Sequence, residues 1–370
     1  MPVKRFLFIV LLVCTFFAVS AAQGECCTPG KETCGKENCF WETPMDITDE
    51  ETIWKMLMQP MTIVKGDPRS QIPIYEKTDK ESKIIGEVTC DSQGVHVIET
   101  LDNGWAKVEC YSSSFKGSDV EAYNLLVTGY LPADSLQERK VKAAYGLVVD
   151  KFTQRLYLFH EGKLLDTLLV STGLADEEHP WNETRSGEYL LNSLSGAFPS
   201  EKLICNYGIR YNDGDLIHEV PHIPTSSGKN YSTTEPKLGS RASHGCIRVQ
   251  RKRTPQGINM RWLWDALKGQ MGTRIVIWED WQGRQLPIPD DGIVLYYNAD
   301  GGQNYHCAAK CYGVRDEYLP LVQFTYGDLE TAPFSKLGAC PYCNPPLRVA
   351  EIETINAAYA ANEDSNGNED

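Results

Sequence analysis

The chain from Met61 to about Leu136 consists of short apolar segments separated by turn residues. These segments have the length and the β-branched and aromatic content of strands. The pattern predicts six strands, at 61–64, 72–75, 84–88, 95–98, 105–108 and 128–131. We therefore expect a small all-β domain over residues 61–138.

A second β-rich region extends over residues 143–279. Its pattern predicts strands at 145–150, 155–159, 167–173, 188–191, 208–211 and 273–278. Residues 259–268 have apolar positions at helical spacing and end near Gly269, which predicts a helix. Because strands and helices do not alternate here, the pattern argues against a doubly wound sheet and predicts a mainly β fold.

Less regular segments flank these two regions. Residues 45–60 carry apolar positions at helical spacing with acidic residues early, which predicts a short helix. Residues 280–350 are rich in Pro, Gly, Tyr and Cys and form a separate small module. Residues 351–370 are expected to be a tail, and the polar, acidic composition of its last ten residues predicts disorder there.

The first 22 residues have the layout of a secretory signal peptide. Lys4-Arg5 precede an apolar run from Phe6 to Val19, and the small residues 20–22 supply a cleavage site after Ala22. A membrane anchor is disfavoured because about 20 apolar residues are needed to cross a bilayer, and no later segment reaches that length. We expect an exported protein with no transmembrane span after cleavage.

Charge and cysteine content agree with export. The 370 residues carry a formal net charge of −14, and removal of residues 1–22 takes away two basic residues and leaves a net charge of −16. A main nucleic-acid partner is excluded because it requires a basic surface. Thirteen cysteines are many for a cytosolic protein. Four of them crowd into residues 23–60 and predict a disulfide knot: Cys26, Cys27, Cys34 and Cys39.

The segment from Leu238 to Val249 carries the strongest chemical signal. Its centre, Ser243-His244-Gly245-Cys246, places a thiol directly after a glycine, where no Cβ blocks the approach of a carbonyl. Backbone N–H groups around Gly245 and Cys246 can form an oxyanion hole. A thiol attacks after losing its proton, so the chemistry needs a histidine beside Cys246 in the fold.

Three histidines are candidates for this base. His218 precedes Cys246 by 28 positions at the end of an apolar segment, a spacing that lets two neighbouring strand ends bring the pair together. His244 is two residues from Cys246 and shares its face in an extended segment. We favour His218 as the base, His244 as a supporting residue or alternative base, and His222 as a loop residue. For Cys246 the competing interpretation is a structural disulfide with Cys205.

These residues resemble the L,D-transpeptidase catalytic family. Ile217-His218 followed by residues 243–248 looks like its signature of an upstream His and a Ser/Thr-His-Gly-Cys motif. Residues 170–173 and 184–189 resemble its Ser-Thr-Gly strand and its Thr-Pro-x-Gly segment. The resemblance covers residues 143–279 and implies a β-sandwich-like catalytic domain that acts on peptidoglycan stem peptides without a catalytic cofactor.

The implied reaction is acyl transfer through a thioester. Cys246 attacks the carbonyl before the terminal D-residue of a stem tetrapeptide, and an amine of a second stem takes the acyl group, which cross-links the wall. The motif fits equally an L,D-carboxypeptidase, in which water is the acceptor. A wall-binding scaffold without activity is a further alternative, and the intact pair of His218 and Cys246 weighs against it. A papain-like protease is disfavoured because its Cys precedes its His. The expected location is the cell wall, periplasm or extracellular space.

Three features depart from the family pattern. Arg185 stands where proline is commoner, the loop after His218 carries an insert at 225–234, and Arg248 ends the motif where Asn is well known. Arg248 is a candidate for binding a substrate carboxylate, with a surface position or an internal salt bridge as alternatives, and Ser243 is a second substrate-binding candidate. The residue after the base is Glu219, whose side chain or carbonyl is expected to orient the imidazole.

The domain at 61–138 resembles the bacterial SH3-like domains attached to cell-wall enzymes. The resemblance rests on residues 103–108, followed by 129–131 and Leu136. Cell-wall binding and a purely structural role as a spacer are both compatible with it. Cys90 and Cys110 lie in two of its strand regions, and we expect them to pair.

The cysteines of the C-terminal module have two interpretations. His306, Cys311, Cys340 and Cys343 form a His-x4-Cys and a Cys-x2-Cys pair, a set that suits a structural zinc because the protein supplies all four ligands. The pattern resembles small exported modules attached to wall enzymes. In an oxidising compartment, cysteines of this module can instead form two disulfides. Cys307 has no assigned role.

Overall fold

The computed structural model describes residues 46–280 and 283–360. The predicted signal peptide, the four cysteines of the N-terminal knot and the last ten residues lie outside the described residues. Every helix within the described ranges is too short or too polar to span a bilayer.

β-strands dominate the described part of the chain. Its α-helices are α1 (Glu50–Met58), α2 (Met260–Leu267) and α3 (Val349–Ala358). The strands before residue 140 are β1 (Met61–Val64), β2 (Gln71–Tyr75), β3 (Ile84–Thr89), β4 (His96–Thr100), β5 (Trp105–Ser113), β6 (Tyr123–Pro132) and β7 (Leu136–Arg139). The next group is β8 (Tyr145–Asp150), β9 (Arg155–His160), β10 (Lys163–Ser171), β11 (Gly187–Leu190), β12 (Ser193–Ser200), β13 (Leu203–Arg210), β14 (Leu216–Glu219), β15 (Ile223–Thr225), β16 (Gly228–Asn230), β17 (Ile247–Val249) and β18 (Arg274–Trp278). The last group is β19 (Val294–Tyr297), β20 (Asn304–His306), β21 (Val322–Thr325) and β22 (Gly338–Ala339).

Strands β1 to β7 form a small β domain with its own core. Five of them pair in the order β3-β2-β6-β5-β4, and β1 pairs antiparallel with β7. Val64, Ile74, Val88, Val108 and Leu131 fill the interior. The six predicted strands are confirmed. β5 and β6 are longer than predicted, because their antiparallel ladder continues to Ser113 and Tyr123.

The predicted disulfide between Cys90 and Cys110 is wrong. Cys90 is a free thiol, and its Sγ lies beside Gly66 in the loop between β1 and β2, where a Cβ built on the glycine would be 2.6 Å from this sulfur. Cys110 is buried on β5, which β2 and β6 separate from β3 in the sheet. Both cysteines belong to the core of the small β domain, and both are free thiols there.

A nine-stranded mixed sheet spans residues 145–278. Its order is β11-β18-β8-β9-β10-β17-β14-β13-β12, with two parallel pairs, β8 with β18 and β14 with β17. On one face α2 buries Met260, Leu263 and Leu267, and Asn259 caps this helix by accepting the N–H of Trp262. The predicted strands and helix of this region are confirmed. The strands β14 to β17 were missed because they are short, and β12 was missed because it is largely polar.

α1 packs on the same nine-stranded sheet. Ile53, Met56 and Leu57 join a core with Val148 and Phe159. Gly146 on β8 makes room for the helix, since a Cβ there would lie 2.7 Å from Leu57 Cδ1. The helix predicted within 45–60 is thus confirmed, and it packs against the large sheet although the small β domain follows it in sequence.

The C-terminal module has a four-stranded sheet in the order β21-β19-β20-β22. Its core includes Leu295, Tyr305 and Phe324. The prediction of a tail from residue 351 onwards is wrong for its first part. That part belongs to α3, whose Ile352 is buried. Tyr359 just after α3 donates a hydrogen bond of 2.6 Å from its hydroxyl to Asp280 at the end of the large sheet.

Replacing Leu57 by Ala should destabilise the protein. The change leaves a cavity between α1 and Gly146 that the sheet cannot fill, so we expect the free energy of unfolding to fall by about 2–5 kcal/mol. Urea denaturation followed by tryptophan fluorescence measures this. Replacement of the exposed Leu125 by Ala is the control and should have little effect; equal losses in both variants would contradict the packing described here.

Candidate active site

Two parallel strands that are neighbours in the large sheet carry the predicted nucleophile and base. In the ladder of β14 and β17, Ile217 pairs with Ile247 and His218 with Arg248. Cys246 directly precedes β17. Since side chains alternate along a strand, Ile217 and Ile247 enter the core, and His218, Arg248 and Cys246 lie on the opposite face. The structure thus brings together the residues that the sequence placed 28 positions apart.

The imidazole of His218 is held in one orientation. The side chain is 2% exposed, and its Nδ1 lies 2.7 Å from the carbonyl oxygen of Glu219. Because the carbonyl only accepts, Nδ1 carries the hydrogen and Nε2 is left as the basic atom. The Glu219 carboxylate is engaged elsewhere, with Asn206 and Tyr231. Of the two expected modes of orientation, the structure has the one through the carbonyl.

The thiol and the imidazole are both neutral at rest. Burial lowers the pKa of His218 to about 4. Burial, with the negative charge of Asp215, raises the pKa of Cys246 to about 12. The Cys246 Sγ lies 3.9 Å from the carbonyl oxygen of Gly214. At neutral pH the site therefore contains a protonated thiol and an unprotonated imidazole.

The disulfide interpretation of Cys246 does not hold in the structure. Cys246 and Cys205 are both free thiols. Cys205 is buried on β13, and burial raises its pKa to about 11. Cys246 is partly exposed and thus open to a substrate.

Gly245 is required by its surroundings. Its φ of 115° lies in the region that favours glycine, and a Cβ there would lie 2.6 Å from Asp215 Oδ1. Thr184 donates its hydroxyl to the Gly245 carbonyl at 2.6 Å. The Gly245 N–H points to Ser243 Oγ at 3.3 Å. The Cys246 N–H has no acceptor among the described residues, so it is the better placed donor for an oxyanion.

Ser243 shapes the turn that carries the nucleophile. It is 1% exposed, and its hydroxyl donates to the Cys246 carbonyl at 2.5 Å. This position gives Ser243 an internal role, although the sequence suggested that it contacts substrate. His244 is exposed, and its ring has no hydrogen bond within the described residues. His222 is buried beside the ring of Tyr231, with 5.3 Å between the ring centroids.

Arg248 is partly buried on the face of the sheet that carries Cys246. Burial lowers its pKa, and the thiols of Cys205 and Cys246 act in the opposite direction. Its guanidinium has no ion-pair partner within residues 46–280 and 283–360. The internal salt bridge that the sequence left open is therefore absent from the described part of the chain.

A buried ion pair beneath the nucleophile was missed from the sequence. Arg185 is 1% exposed, and its Nη1 lies 3.1 Å from Asp215 Oδ2. Its Nη2 donates to the Ser114 carbonyl of the small β domain at 2.7 Å, and the guanidinium lies over the ring of Phe115. The only signal in the sequence was the replacement of proline at position 185. Arg185 ties the small β domain to the turn that contains Cys246.

A second charged cluster holds the start of the motif. Arg241 donates to both carboxylate oxygens of Glu183 at 3.0 Å and to Asp280 at 2.6 Å. The buried Lys151 ammonium lies 2.9 Å from Glu183 and 2.8 Å from Glu279. Each charge has a partner, as a buried charge requires. The cluster joins β8, the motif loop and the end of the large sheet, and nothing in the sequence pattern singled it out.

The predicted zinc ligands also come together, in the C-terminal module. The ligating atoms of His306, Cys311, Cys340 and Cys343 all lie within 4.8 Å of one another, and the four residues are buried. Cys307 is exposed, with its Sγ 3.0 Å from the Cys343 carbonyl.

Replacing Arg185 by Met should strongly destabilise the protein. The change leaves the Asp215 carboxylate buried without its partner, so we expect the free energy of unfolding to fall by about 3–5 kcal/mol. Urea denaturation measures it. In the double variant Arg185→Met, Asp215→Asn no buried charge remains, and part of the stability should return. If the double variant were no more stable than Arg185→Met, the unpaired charge of Asp215 would not be the cause of the lost stability.

His218 should make the protein less stable in weak acid. The unfolded chain binds a proton at the ordinary pKa of 6.5, whereas the folded imidazole resists protonation down to about 4. Stability is therefore lost as pH falls between these values, by about 3 kcal/mol. Denaturation at a series of pH values measures this. In His218→Gln the loss should be smaller by that amount, and identical pH profiles would contradict the assignment.

Comparison with known proteins identifies the segment that contains this site. Residues 144–277 match the family model of the L,D-transpeptidase catalytic domain (YkuD). No curated sequence matches the chain. Among solved structures, a fused zinc-dependent amidase/peptidase/peptidoglycan-binding domain-containing protein from Clostridium acetobutylicum is similar at 21% identity and a TM-score of 0.26, over 38% of this chain and 55% of that one.

Two further similar structures are L,D-transpeptidases. The one from Stackebrandtia nassauensis has 18% identity and a TM-score of 0.25, over 38% of this chain and 58% of its own. The one from Mycobacterium smegmatis has 14% identity and a TM-score of 0.29, over 60% of this chain and 92% of its own. This chain thus spans little more than half the length of the first two structures. The family match places residues 144–277, which carry both His218 and Cys246, in the L,D-transpeptidase catalytic-domain family.

Proposed function

We propose that the protein is an exported L,D-transpeptidase that cross-links peptidoglycan stem peptides. The observation that carries the proposal is the position of His218 and Cys246 on neighbouring parallel strands, within the segment that matches the catalytic-domain family. The site residues in this proposal are Cys246 as nucleophile and His218 as general base. The reaction needs no cofactor at this site.

The first half of the reaction forms a thioester. His218 Nε2 takes the thiol proton as Cys246 Sγ attacks the carbonyl before the terminal D-residue of a stem tetrapeptide. The oxyanion accepts the Cys246 N–H, which stabilises the tetrahedral intermediate. His218 then gives its proton to the leaving nitrogen, the C–N bond breaks, and the D-amino acid departs.

The second half transfers the acyl group. An amine of another stem attacks the thioester, its proton passes to His218, and the C–S bond breaks. The proton returns from His218 to the sulfur, which restores the neutral thiol. The low pKa of His218 and the high pKa of Cys246 suit this cycle, because neither group holds a charge between turnovers.

Arg248 is proposed to hold a carboxylate of the stem peptide. Its guanidinium lies on the face of Cys246, is partly desolvated and has no ion-pair partner among the described residues. A planar cation in such a position binds a carboxylate through two parallel hydrogen bonds. This would orient the donor stem relative to the thiol.

The small β domain is proposed to support the catalytic domain rather than to bind the wall. The Ser114 carbonyl and the Phe115 ring hold Arg185, and Ser113 accepts a hydrogen bond from Asn212 beside the site. These contacts favour the structural one of the two roles expected for an SH3-like domain.

Incubation with a carbapenem tests the proposal. We expect the mature protein to gain the mass of one carbapenem at Cys246, and Cys246→Ala to gain none. His218→Gln should be acylated about 10²–10⁴ times more slowly, because a general base contributes that much. His244→Gln serves as the matched control and should react nearly as fast as the wild type. No adduct at Cys246 in the wild type, or loss of acylation only in the His244 variant, would refute the assignments.

Muropeptide analysis then identifies the acceptor. A transpeptidase forms cross-linked dimers from tetrapeptide stems, whereas an L,D-carboxypeptidase forms only shortened monomers. An inactive scaffold changes neither. Dimers that require Cys246 are the outcome that we expect.

A further inference from the structure

Four side chains of the C-terminal module form a buried cluster outside the proposed active site. His306 ends β20, Cys311 follows in the next loop, and Cys340 and Cys343 flank a tight turn after β22. All four are between 2% and 8% exposed. Without a bound ion, a buried group of three thiols and one imidazole would have few good hydrogen-bond partners. The cluster is therefore a candidate binding site for a metal ion.

The distances within the cluster suit a tetrahedral metal ion and not disulfides. The sulfurs of Cys311 and Cys340 are 3.8 Å apart, and Cys343 Sγ lies 3.7 Å from His306 Nδ1. Zn–S bonds of about 2.3 Å in a tetrahedron set two sulfurs about 3.8 Å apart. A disulfide needs about 2.05 Å. All four cysteines of the module are free thiols in the structure.

The backbone around the cluster is arranged for thiolates. The N–H of Cys307 points to Cys343 Sγ, and that of Gly313 points to Cys311 Sγ, both at 3.4 Å. Gly313 allows the loop to close, since a Cβ there would lie 2.7 Å from the Tyr342 ring and 3.3 Å from Cys340 Sγ. N–H donors of this kind stabilise the charge on metal-bound sulfur.

The turn between Cys340 and Cys343 is connected to the strand that carries the nucleophile. Asn344, the next residue, donates its amide to Gln250 Oε1 at 2.8 Å. Gln250 directly follows β17, is 1% exposed, and accepts the N–H of Leu169 from β10 at 2.6 Å. Its Nε2 donates to the Lys252 carbonyl at 2.8 Å. Gln250 thus fixes the far end of the three-residue strand that begins directly after Cys246.

We propose that His306, Cys311, Cys340 and Cys343 bind one Zn²⁺ and that this centre clamps β17 through Asn344 and Gln250. Three thiols and one imidazole favour zinc among the common divalent ions. The thiols release three protons to solvent on binding, and His306 binds through Nδ1. The protein fills all four positions, so the ion is structural. Only the link to catalysis rests on the proposed function.

Elemental analysis of the purified mature protein tests the metal site. We expect one zinc per chain in the wild type and in Cys307→Ser, which leaves the four ligands intact, and no zinc in Cys340→Ser. Should Cys340→Ser fail to fold, the native mass of the wild type decides. A mass higher by one zinc less the displaced protons supports the site. A metal-free chain overturns the site if non-reducing peptide mapping shows two disulfides among Cys307, Cys311, Cys340 and Cys343; disulfides of the N-terminal knot do not count.

Alkylation of Cys246 by iodoacetamide, measured on its peptide, tests the clamp without requiring transpeptidase activity. Asn344→Gly keeps the ligands and tolerates the φ of 45° at this position. We expect it to retain zinc and to change the rate of alkylation roughly tenfold, because the thiol is no longer held in place. Asn298→Gly is the matched control, as Asn298 bonds only within its own turn. An unchanged rate of Cys246 alkylation in Asn344→Gly overturns the clamp. The zinc site itself is tested independently by the elemental analysis.

Discussion

The position of the nucleophile depends on the buried ion pair of Arg185 and Asp215. Asp215 lies against Gly245 so closely that no other residue fits there, and Arg185 forms an ion pair with this carboxylate. Burial, with the negative charge of Asp213, raises the pKa of Asp215, and the positive charge of Arg185 opposes this effect. The same guanidinium binds a carbonyl of the small β domain. Arg185, which is 71 positions after Ser114, therefore joins the small β domain to the Cys246 turn.

The electrostatics of the site favour a neutral thiol at Cys246 and a neutral imidazole at His218. His218 is buried and Cys246 is partly buried, and the carboxylate of Asp215 disfavours a thiolate at Cys246. The pKa of His218 is lowered and that of Cys246 is raised, and both shifts disfavour a resting thiolate–imidazolium pair. The fixed bond from His218 to the Glu219 carbonyl keeps Nε2 as the acceptor.

Contacts from three parts of the chain converge on the short segment around Cys246. Arg185 holds it from below, Arg241 fixes its start through Glu183 and Asp280, and Gln250 fixes its end. A three-residue strand has few ladder hydrogen bonds of its own, so its position depends on these neighbours. This explains why a catalytic domain that makes up about a third of the chain lies among so many additional elements.

The sequence by itself determined the mainly β fold, most strands of the two β domains, the pairing of Cys246 with an upstream histidine, and the four residues of the cysteine-rich cluster. These are local signals, since apolar alternation and short motifs depend on neighbouring positions only. It did not reveal that Cys90 and Cys110 remain apart, that Ser243 is internal, or that Arg185, Asp215 and Arg241 surround the motif. Those features depend on the order of strands in a sheet and on charges that meet only when distant segments pack, and the tertiary structure alone decides which residues come within a few ångströms.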